Sequence, residues 1–342
     1  MKGTYYLGDK QFEIREIPNR ELGPDEVLVK VAACGICGTD VHIYHGSKGS
    51  AEVAPPVILG HEFSGIVEKI GSAVDKVAVG DHVAIDPNIY CGKCHFCGIG
   101  KKQMCANLIG IGVNRDGGFA EYCYVPQSQC FQLDKTIPLE YGAMVEPLAC
   151  CLHGIDRLNM RQGDTVCVIG GGAIGLMMVQ LARISGASVV VLSEPVQHRR
   201  EIGLSLGADY VVDPINESLP QRLHELLGTE GADVIIECVG NLTATGQSFE
   251  AAKRGANILL FSVPKAGSVY PLSLEDVFQK ELTILGSMIN PDTHERAAQL
   301  INSGRIELKP LITHCYPIDQ LEDAIMMQMS SESIKVIVGN QT

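Results

Sequence analysis

The chain has 342 residues, a length that suits two domains. Of these residues 46% are hydrophobic, 20% are charged and 37 are glycine, which is the composition of a folded α/β protein. Its 40 acidic residues against 27 basic ones give a net charge of -13, which argues against nucleic-acid and anionic-membrane partners because both need a basic surface. No apolar run reaches the roughly 20 residues of a membrane helix, and the first residues show no signal-peptide pattern. We expect a cytoplasmic protein that binds a small molecule.

Short strands dominate the pattern of the first half. Residues 27–31 alternate apolar and polar side chains, residues 63–67 form a second strand pattern, and a glycine turn signal precedes a third at 80–85. This part of the chain is predicted to be an all-β, barrel-like unit.

The next feature is a cluster of four cysteines spaced C-x2-C-x2-C-x7-C, formed by Cys91, Cys94, Cys97 and Cys105. Four thiolates at this spacing suit tetrahedral zinc. An iron–sulfur cluster is the alternative, but the ferredoxin pattern ends in proline whereas Cys105 is followed by Ala106. A shell of four thiolates leaves no position for a substrate, so we expect a structural site.

A second set of metal-binding residue types is spread along the chain. Cys37, the pair His61 and Glu62, and the distant Glu146 offer a thiolate, an imidazole and carboxylates. Together these groups would form an open zinc shell with one position left for water or an alcohol. Taken singly each has an ordinary explanation, since a lone cysteine is usually a buried small hydrophobe and a lone histidine is usually structural.

From residue 163 the pattern changes to apolar strands that alternate with helical segments, which implies a doubly wound parallel sheet. The remaining residues, with an amphipathic helix at about 294–303 and a strand at 334–338, are expected to return to the first domain. The candidate strands of the sheet are 165–169, 188–192, 210–212, 234–237, 257–261 and 283–285.

A dinucleotide-binding fingerprint follows the first of these strands. Residues 170–175 fit G-x-G-x-x-G, and they connect a β-branched strand to an apolar-periodic helix. The glycines let a pyrophosphate approach the backbone and the positive helix N-terminus. The cofactor-binding candidates in this segment are Gly170, Gly172, Ile174 and Gly175.

Glu194 lies nineteen residues after Gly175, at the end of the second strand. An acidic side chain there would accept hydrogen bonds from both ribose hydroxyls and repel a 2′-phosphate, which favours NAD. NADP is the alternative, because Ser193, Arg199 and Arg200 could accommodate a phosphate if Glu194 turned away. Arg199 is therefore also a cofactor-binding candidate.

The segments GICGTDVH at 35–42 and GHE at 60–62, with the four-cysteine lobe, resemble the zinc-containing medium-chain dehydrogenases. The resemblance implies an α/β fold with two domains. One is a GroES-like β-barrel catalytic domain, residues 1–149 and 287–342, with the zinc lobe at about 88–108. The other is a Rossmann dinucleotide-binding domain at 150–286.

The same resemblance implies roles for individual residues. Cys37 and His61 would bind catalytic zinc, with Glu62 and Glu146 as the carboxylates, and which of the two binds directly is open. Thr39 and His42 match the proton relay of the family, in which the alcohol proton passes to Thr39 and onward through ribose and His42. Zinc makes the relay feasible because it lowers the pKa of the bound alcohol.

Neighbouring residues outside these motifs are interpreted as structural: Cys34 as a buried thiol, and His45 and His82 as solvated or core histidines.

The substrate is inferred from resemblance as well. Residues 145–149 are similar to the sorbitol branch, and residues 281–287 to polyol and polyol-phosphate dehydrogenases. The predicted reaction is oxidation of a secondary hydroxyl of a polyol or polyol phosphate to the ketose, by a homotetramer or dimer with two zinc ions per chain. The alternatives are L-threonine 3-dehydrogenase activity and, in a different class, a non-catalytic zinc-stabilised binding protein.

Overall fold

The computed structural model describes residues 1–46 and 52–339. The chain forms two compact units, Met1–Ala149 with Asn290–Thr342 and Cys150–Ile289. We call them the first and the second unit. The sequence placed the corresponding boundaries after residues 149 and 286.

The helices and strands are as follows. The β-strands are β1 (Lys2–Gly8), β2 (Gln11–Glu16), β3 (Glu26–Gly35), β4 (Val57–Ile58), β5 (Glu62–Ile70), β6 (His82–Ile85), β7 (Asn88–Ile89), β8 (Ile109–Gly110), β9 (Tyr122–Pro126), β10 (Cys130–Leu133), β11 (Thr165–Ile169), β12 (Val189–Ser193), β13 (Tyr210–Val212), β14 (Ala232–Glu237), β15 (Ala252–Leu260), β16 (Thr283–Gly286), β17 (Ile312–Pro317) and β18 (Lys335–Gly339). The α-helices are α1 (Gly38–Tyr44), α2 (His95–Gly98), α3 (Leu139–Gly142), α4 (Val145–Arg157), α5 (Ala173–Ile184), α6 (Gln197–Ser205), α7 (Leu219–Leu227), α8 (Leu242–Glu250), α9 (Leu274–Lys280), α10 (His294–Asn302) and α11 (Leu321–Gln328). Short 3₁₀ turns lie at Lys102–Met104, Gln127–Gln129, Lys309–Leu311 and Ile318–Gln320.

The first unit is built around β3. Its sheet has the order β10-β6-β5-β3-β18-β17, and β9 also pairs with β3. Val27, Val29 and Val31 project from one face of β3 into the core and are at most 2% exposed, as strand alternation requires. The strand pattern alone predicted an all-β unit, and this was wrong. The short helices α1, α2 and α3 interrupt the strands.

The C-terminal segment returns to this sheet. β18 runs antiparallel to β3, with Ile337 opposite Gly35, and β17 runs parallel to β18. This pairing brings Lys335, at the start of β18, close to the end of β3.

The second unit is a parallel sheet with the order β13-β12-β11-β14-β15-β16. Its strands carry fully buried apolar residues such as Val168, Ile235 and Ile258, because a sheet covered by helices on both faces excludes water from every strand. Strands β11 to β13 are added towards one edge of the sheet, and strands β14 to β16 towards the other, so the strand order switches between β11 and β14. Ligands bind at such a switch point, beyond the carboxyl ends of the strands.

The predicted combination of a GroES-like barrel and a doubly wound Rossmann sheet is confirmed. None of the helices in the described ranges is both long and apolar enough to span a bilayer.

Candidate active site

Cys37 lies immediately before α1 and caps it. Its backbone is extended, and its N–H donates to Oδ2 of Asp40 at 2.9 Å. Asp40 is fully buried, so this hydrogen bond fixes the turn that carries the thiol. Sequence analysis did not assign Asp40 a role, although it lies inside the segment that carries the family resemblance.

His61 and Glu62 are placed by the glycine before them. Gly60 has a φ of 91°, and a Cβ there would approach the Phe119 ring to 2.8 Å, so only glycine fits this turn. The chain then enters β5 with His61 7% exposed and Glu62 2% exposed. Both side chains are therefore buried beside Cys37.

The ligand atoms of Cys37, His61 and Glu62 lie within 4.8 Å of one another. Nδ1 of His61 makes no hydrogen bond within the described residues, and it is 3.6 Å from Oδ1 of Asp40. A thiolate, an imidazole and a carboxylate in this arrangement are the donor set of a catalytic zinc site that keeps one position open. The residues present therefore fit zinc.

Electrostatics in this group also fit a cation. Burial alone lowers the pKa of the His61 imidazole, but the neighbouring Asp40 and Cys37 side chains outweigh it and hold that pKa well above its usual range. Because imidazole coordinates a metal in its neutral form, metal binding at His61 competes with a proton.

Lys335 lies beside the candidate ligand Glu62, and the sequence did not predict it there. It is 4% exposed, its Nζ donates to the carbonyl of Ile36 at 2.9 Å, and it forms an ion pair with Oε2 of Glu62. Burial lowers the pKa of Lys335, but Glu62 and Cys37 raise it above its usual value. Gly35 makes room for the pair, since a Cβ at Gly35 would overlap Glu62 and Lys335.

Glu146 has different surroundings. It is 7% exposed in the first turn of α4, and its Oε1 accepts a hydrogen bond from Nδ2 of Asn290 at 3.2 Å. Among the described residues, the group within 4.8 Å contains Glu62, and Glu146 lies outside it. The two carboxylates are thus partnered differently, one with a buried cation and one with a buried amide.

Thr39 and His42 both lie on α1, three residues apart, where side chains on a helix are neighbours. Both are half-buried. Cys34 is 1% exposed, and burial raises the pKa of its thiol well above the usual value. Nε2 of His45 is 3.4 Å from Sδ of Met329.

The four cysteines also come together. Their Sγ atoms lie within 4.8 Å of one another, and the N–H of Cys91 donates to Sγ of Cys105 at 3.3 Å. The N–H groups of Lys93 and Cys94 lower the pKa of the Cys91 thiol to about 6, whereas burial raises that of Cys97 to about 12. A divalent cation would let all four ionise, so the cluster fits a structural zinc ion.

The glycine-rich segment has the geometry that a dinucleotide site needs. Gly170 has a φ of 101° at the end of β11, and Gly172 caps α5. A Cβ at Gly175 would overlap the carbonyl oxygen of Gly170, so the close approach of helix and strand requires glycine. Ile174 is half-buried in the first turn of α5. The N–H groups at a helix N-terminus are suited to a pyrophosphate.

Glu194 is 3% exposed, and both of its carboxylate oxygens accept backbone hydrogen bonds. Oε2 accepts from the N–H of Gly171 at 2.5 Å, and Oε1 accepts from that of Val196 at 2.9 Å. Arg200 donates to the carbonyl of Glu194 at 2.7 Å, and Arg199 is half-buried on α6. The carboxylate is therefore fixed beside the glycine-rich loop.

Glu237, which sequence analysis also missed, closes the opposite side of the switch point. It is 2% exposed at the end of β14, and its Oε1 accepts from the N–H groups of Val239 and Gly240 at 2.6 and 2.8 Å. A Cβ at Gly170 would meet Val239 at 2.7 Å, so Glu237 shapes the loop next to the fingerprint. The signal in the sequence is an acidic residue that ends an otherwise apolar strand.

Two family models match the chain. Residues 23–135 match the alcohol dehydrogenase GroES-like domain, and residues 173–303 match the zinc-binding dehydrogenase domain. Fold and site together define a zinc-dependent alcohol dehydrogenase that uses a nicotinamide cofactor.

The chain belongs to the zinc-binding medium-chain dehydrogenases, related to threonine and sorbitol dehydrogenases. It is 38% identical to an L-threonine 3-dehydrogenase of Caldanaerobacter subterraneus subsp. tengcongensis, covering 95% of this chain and 93% of the relative. It is 35% identical to a sorbitol dehydrogenase of Halalkalibacterium halodurans, covering 97% and 96%. A protein described as a zinc-binding dehydrogenase from Sinorhizobium meliloti 1021, bound to NADP, is 41% identical with a TM-score of 0.94, covering 99% and 98%. The predicted family, enzyme class and cofactors are confirmed, with NAD and NADP both open.

Proposed function

We propose that the chain oxidises a secondary hydroxyl of a polyol, or of a polyol phosphate, to the ketose and transfers the hydride to NAD. The observation that carries the reaction type is the group formed by half-buried Cys37 and buried His61 and Glu62, which matches an open zinc shell. The substrate class is supported by the likeness to sorbitol dehydrogenase and by the similarity of residues 145–149 to that branch.

In this proposal the first unit carries both zinc sites and the second unit carries the cofactor. Zinc held by Cys37, His61 and a carboxylate would lower the pKa of the substrate hydroxyl. Thr39 would take the hydroxyl proton, and His42, three residues further along α1, would pass it towards solvent. These two residues are suited to the relay because side chains at this spacing share a helix face.

The protein groups around the ligands would hold them in place. Asp40 fixes the turn at Cys37 and faces Nδ1 of His61, while Lys335 balances the charge of Glu62. Such partners fix the orientation of the metal ligands and affect how tightly the metal is bound. Glu62 is supported as the direct carboxylate ligand, with Glu146 acting through water.

For the cofactor, we propose that Gly170, Gly172, Ile174 and Gly175 line the pyrophosphate site. Glu194 supports NAD, because its remaining lone pairs can accept from ribose hydroxyls and its charge repels a 2′-phosphate. NADP is the alternative, supported by the NADP-bound relative and by Arg199 as a phosphate partner.

L-Threonine oxidation is a second candidate function. It is favoured by the 38% identity to an L-threonine 3-dehydrogenase. The feature against it is the pair Glu146 and Pro147, which resembles the sorbitol branch.

A substrate panel tests the proposal. Sorbitol, xylitol, galactitol, their phosphates and L-threonine would each be assayed with NAD and with NADP. We expect the highest kcat/KM for a polyol or its phosphate with NAD. Turnover of L-threonine alone would contradict the polyol assignment, and turnover of none of these together with a single tightly bound zinc would favour a binding protein.

We also propose that the chain forms a homodimer or homotetramer. β16 is an edge strand of its sheet, and nearby Leu274 and Phe278 are 80% and 85% exposed. An uncovered strand edge beside large apolar side chains favours association with a second copy. Size-exclusion chromatography with light scattering tests this, and a monomer would contradict it.

We propose the cytoplasm as the location, because a cluster of four cysteines arranged to bind zinc as thiolates fits a reducing compartment.

A further inference from the structure

A chain of buried polar side chains lies behind Glu146. Its centre is Asn290, which is 0% exposed. Nδ2 of Asn290 donates to Oε1 of Glu146 at 3.2 Å and lies 3.3 Å from Nδ1 of His294, while Oδ1 accepts from Nδ2 of Asn88 at 2.7 Å. The amide therefore donates to Glu146 and accepts from Asn88, and these two hydrogen bonds fix its orientation.

The far side of Asn290 is anchored. The N–H of Asn88 donates to Oδ1 of Asp86 at 2.9 Å, and Gln129 donates to the carbonyls of Asp86 and Asn88, both at 2.9 Å. Asn88 lies in β7, which pairs with β8. These two strands flank the four-cysteine lobe, so the partner of Asn290 is fixed at the base of that lobe.

The backbone around Asn290 is also constrained. Ile289 and Asp292 have φ values of 44° and 59°, and a β-branched residue in the left-handed region is a strained outlier. Such strain persists only where the surroundings enforce the conformation, and it concentrates at functional sites. The hydroxyl of Thr293 donates to the carbonyl of Ala149 at 2.7 Å, which gives this segment a second attachment to α4.

We infer that Asn290 is a positioning residue for Glu146, and that Asn88 at the base of the four-cysteine lobe holds Asn290 in register. The lobe then contributes to the geometry of the open metal site as well as to stability. This inference rests on the proposed function, in which Glu146 is a carboxylate of the open zinc site.

The variant Asn290→Asp separates positioning from packing. It keeps the shape and the oxygen that accepts from Asn88, but it replaces the donor to Glu146 by a carboxylate. We expect kcat to fall about 10- to 100-fold with a smaller change in KM, as for other residues that orient metal ligands. We expect a similar loss of affinity for the weaker zinc equivalent in chelator competition, with the tighter equivalent unchanged.

The matched control is Asn302→Ala, since Asn302 lies nearby on α10 but makes its side-chain contacts to Asp134 and Gln132 at the surface. It should behave as the wild type. A folded Asn290→Asp variant with wild-type kcat and zinc affinity would overturn the inference. If that variant does not fold, Asn88→Ala replaces it: reduced kcat at a wild-type melting temperature supports the inference, and wild-type kcat overturns it.

Glu146→Gln, measured in parallel, distinguishes two failures. Wild-type turnover and zinc affinity in Glu146→Gln would show that the proposed role of Glu146 is wrong. Impairment in Glu146→Gln without impairment in Asn290→Asp would show that only the positioning role is wrong.

Discussion

At the scale of single residues, Lys335 and Glu62 form an ion pair in which both side chains are buried. Lys335 has three acidic neighbours, the buried carboxyl groups of Glu62 and Asp40 and the half-buried thiol of Cys37. One lysine and one divalent cation together would balance three anions. Charges buried this far from water are stable only when they are paired.

Lys335→Met should therefore destabilise the chain. Breaking a buried pair on one side leaves an uncompensated charge and costs about 3–5 kcal/mol. The measurement is denaturant unfolding at matched zinc loading, and Lys335→Met with Glu62→Gln should recover most of the loss. The control is Lys253→Met, which breaks the partly exposed pair with Asp233 and should cost no more than about 1 kcal/mol. A double variant as unstable as Lys335→Met alone would contradict this account.

The residues that sequence analysis found and missed at this site differ in one respect. Cys37, His61 and Glu62 lie within short segments whose spacing shows metal chemistry. Lys335 contacts Ile36 across 299 positions of sequence, and Asn290 contacts Glu146 across 144. A side chain whose role depends on a partner so far along the chain has no local pattern, so the fold must be known first.

At the scale of elements, the start of β3 shows how a surface carboxylate couples stability to pH. Glu26 is hydrogen-bonded by Arg20 at 2.6 Å and lies 3.3 Å from Arg115. The hydrogen bond from Arg20 lowers the pKa of Glu26 to about 2.

Because the folded-state pKa of Glu26 lies below its unfolded value of 4.5, its stabilisation is present above pH 4.5 and is lost as the pH falls towards 2. After solvent screening we expect this contribution to be about 1 kcal/mol. Glu26→Gln should flatten the pH dependence of the unfolding free energy in that window and leave its slope above pH 6 unchanged. If Glu26→Gln leaves the pH dependence of the unfolding free energy below pH 4.5 unchanged, the pair of Glu26 and Arg20 does not contribute to stability.

The glycine-rich turn between β11 and α5 allows a paired test of element geometry. A Cβ at Gly175 would overlap the carbonyl of Gly170, whereas a Cβ at Gly172 meets no atom within 4 Å. Gly175→Ala should cost about 1–3 kcal/mol, as overpacking does. Gly172→Ala should keep wild-type stability but weaken cofactor binding, because the added methyl group would occupy the approach of the pyrophosphate.

Thermal unfolding and cofactor titration of both variants measure this difference. Equal stability losses would contradict the assigned geometry.

The sequence predicted helices and strands well where their hydrophobic pattern is strong, and poorly where the segment is short. The strand at 165–169 coincides with β11, and the helix at about 294–303 with α10, because a buried apolar run and an amphipathic stripe extend over enough residues. α1 has 7 residues, too few for its period to show, and its start is set by the hydrogen bond between Cys37 and Asp40. The α-helix that carries the proposed relay was therefore not predicted as a helix.

At the scale of the whole molecule, the chain order makes the first unit discontinuous. Residues 150–289 separate its two parts, and the second part supplies β17 and β18 to the sheet of the first. The sequence indicated this return by an amphipathic helix and a strand after the sixth strand of the parallel sheet. It could not indicate that the return supplies Lys335 and Asn290 to the surroundings of two carboxylates.

The central claim is that the two metal sites have different tasks, and Cys37→Ser compared with Cys94→Ser tests it most directly. Zinc content, melting temperature and polyol turnover would be measured for each variant. Cys37→Ser should lose turnover and keep both the four-cysteine zinc and a nearly wild-type melting temperature, whereas Cys94→Ser should lose that zinc and unfold at a clearly lower temperature. Retained turnover in Cys37→Ser, or equal losses of folding in the two variants, would contradict the account.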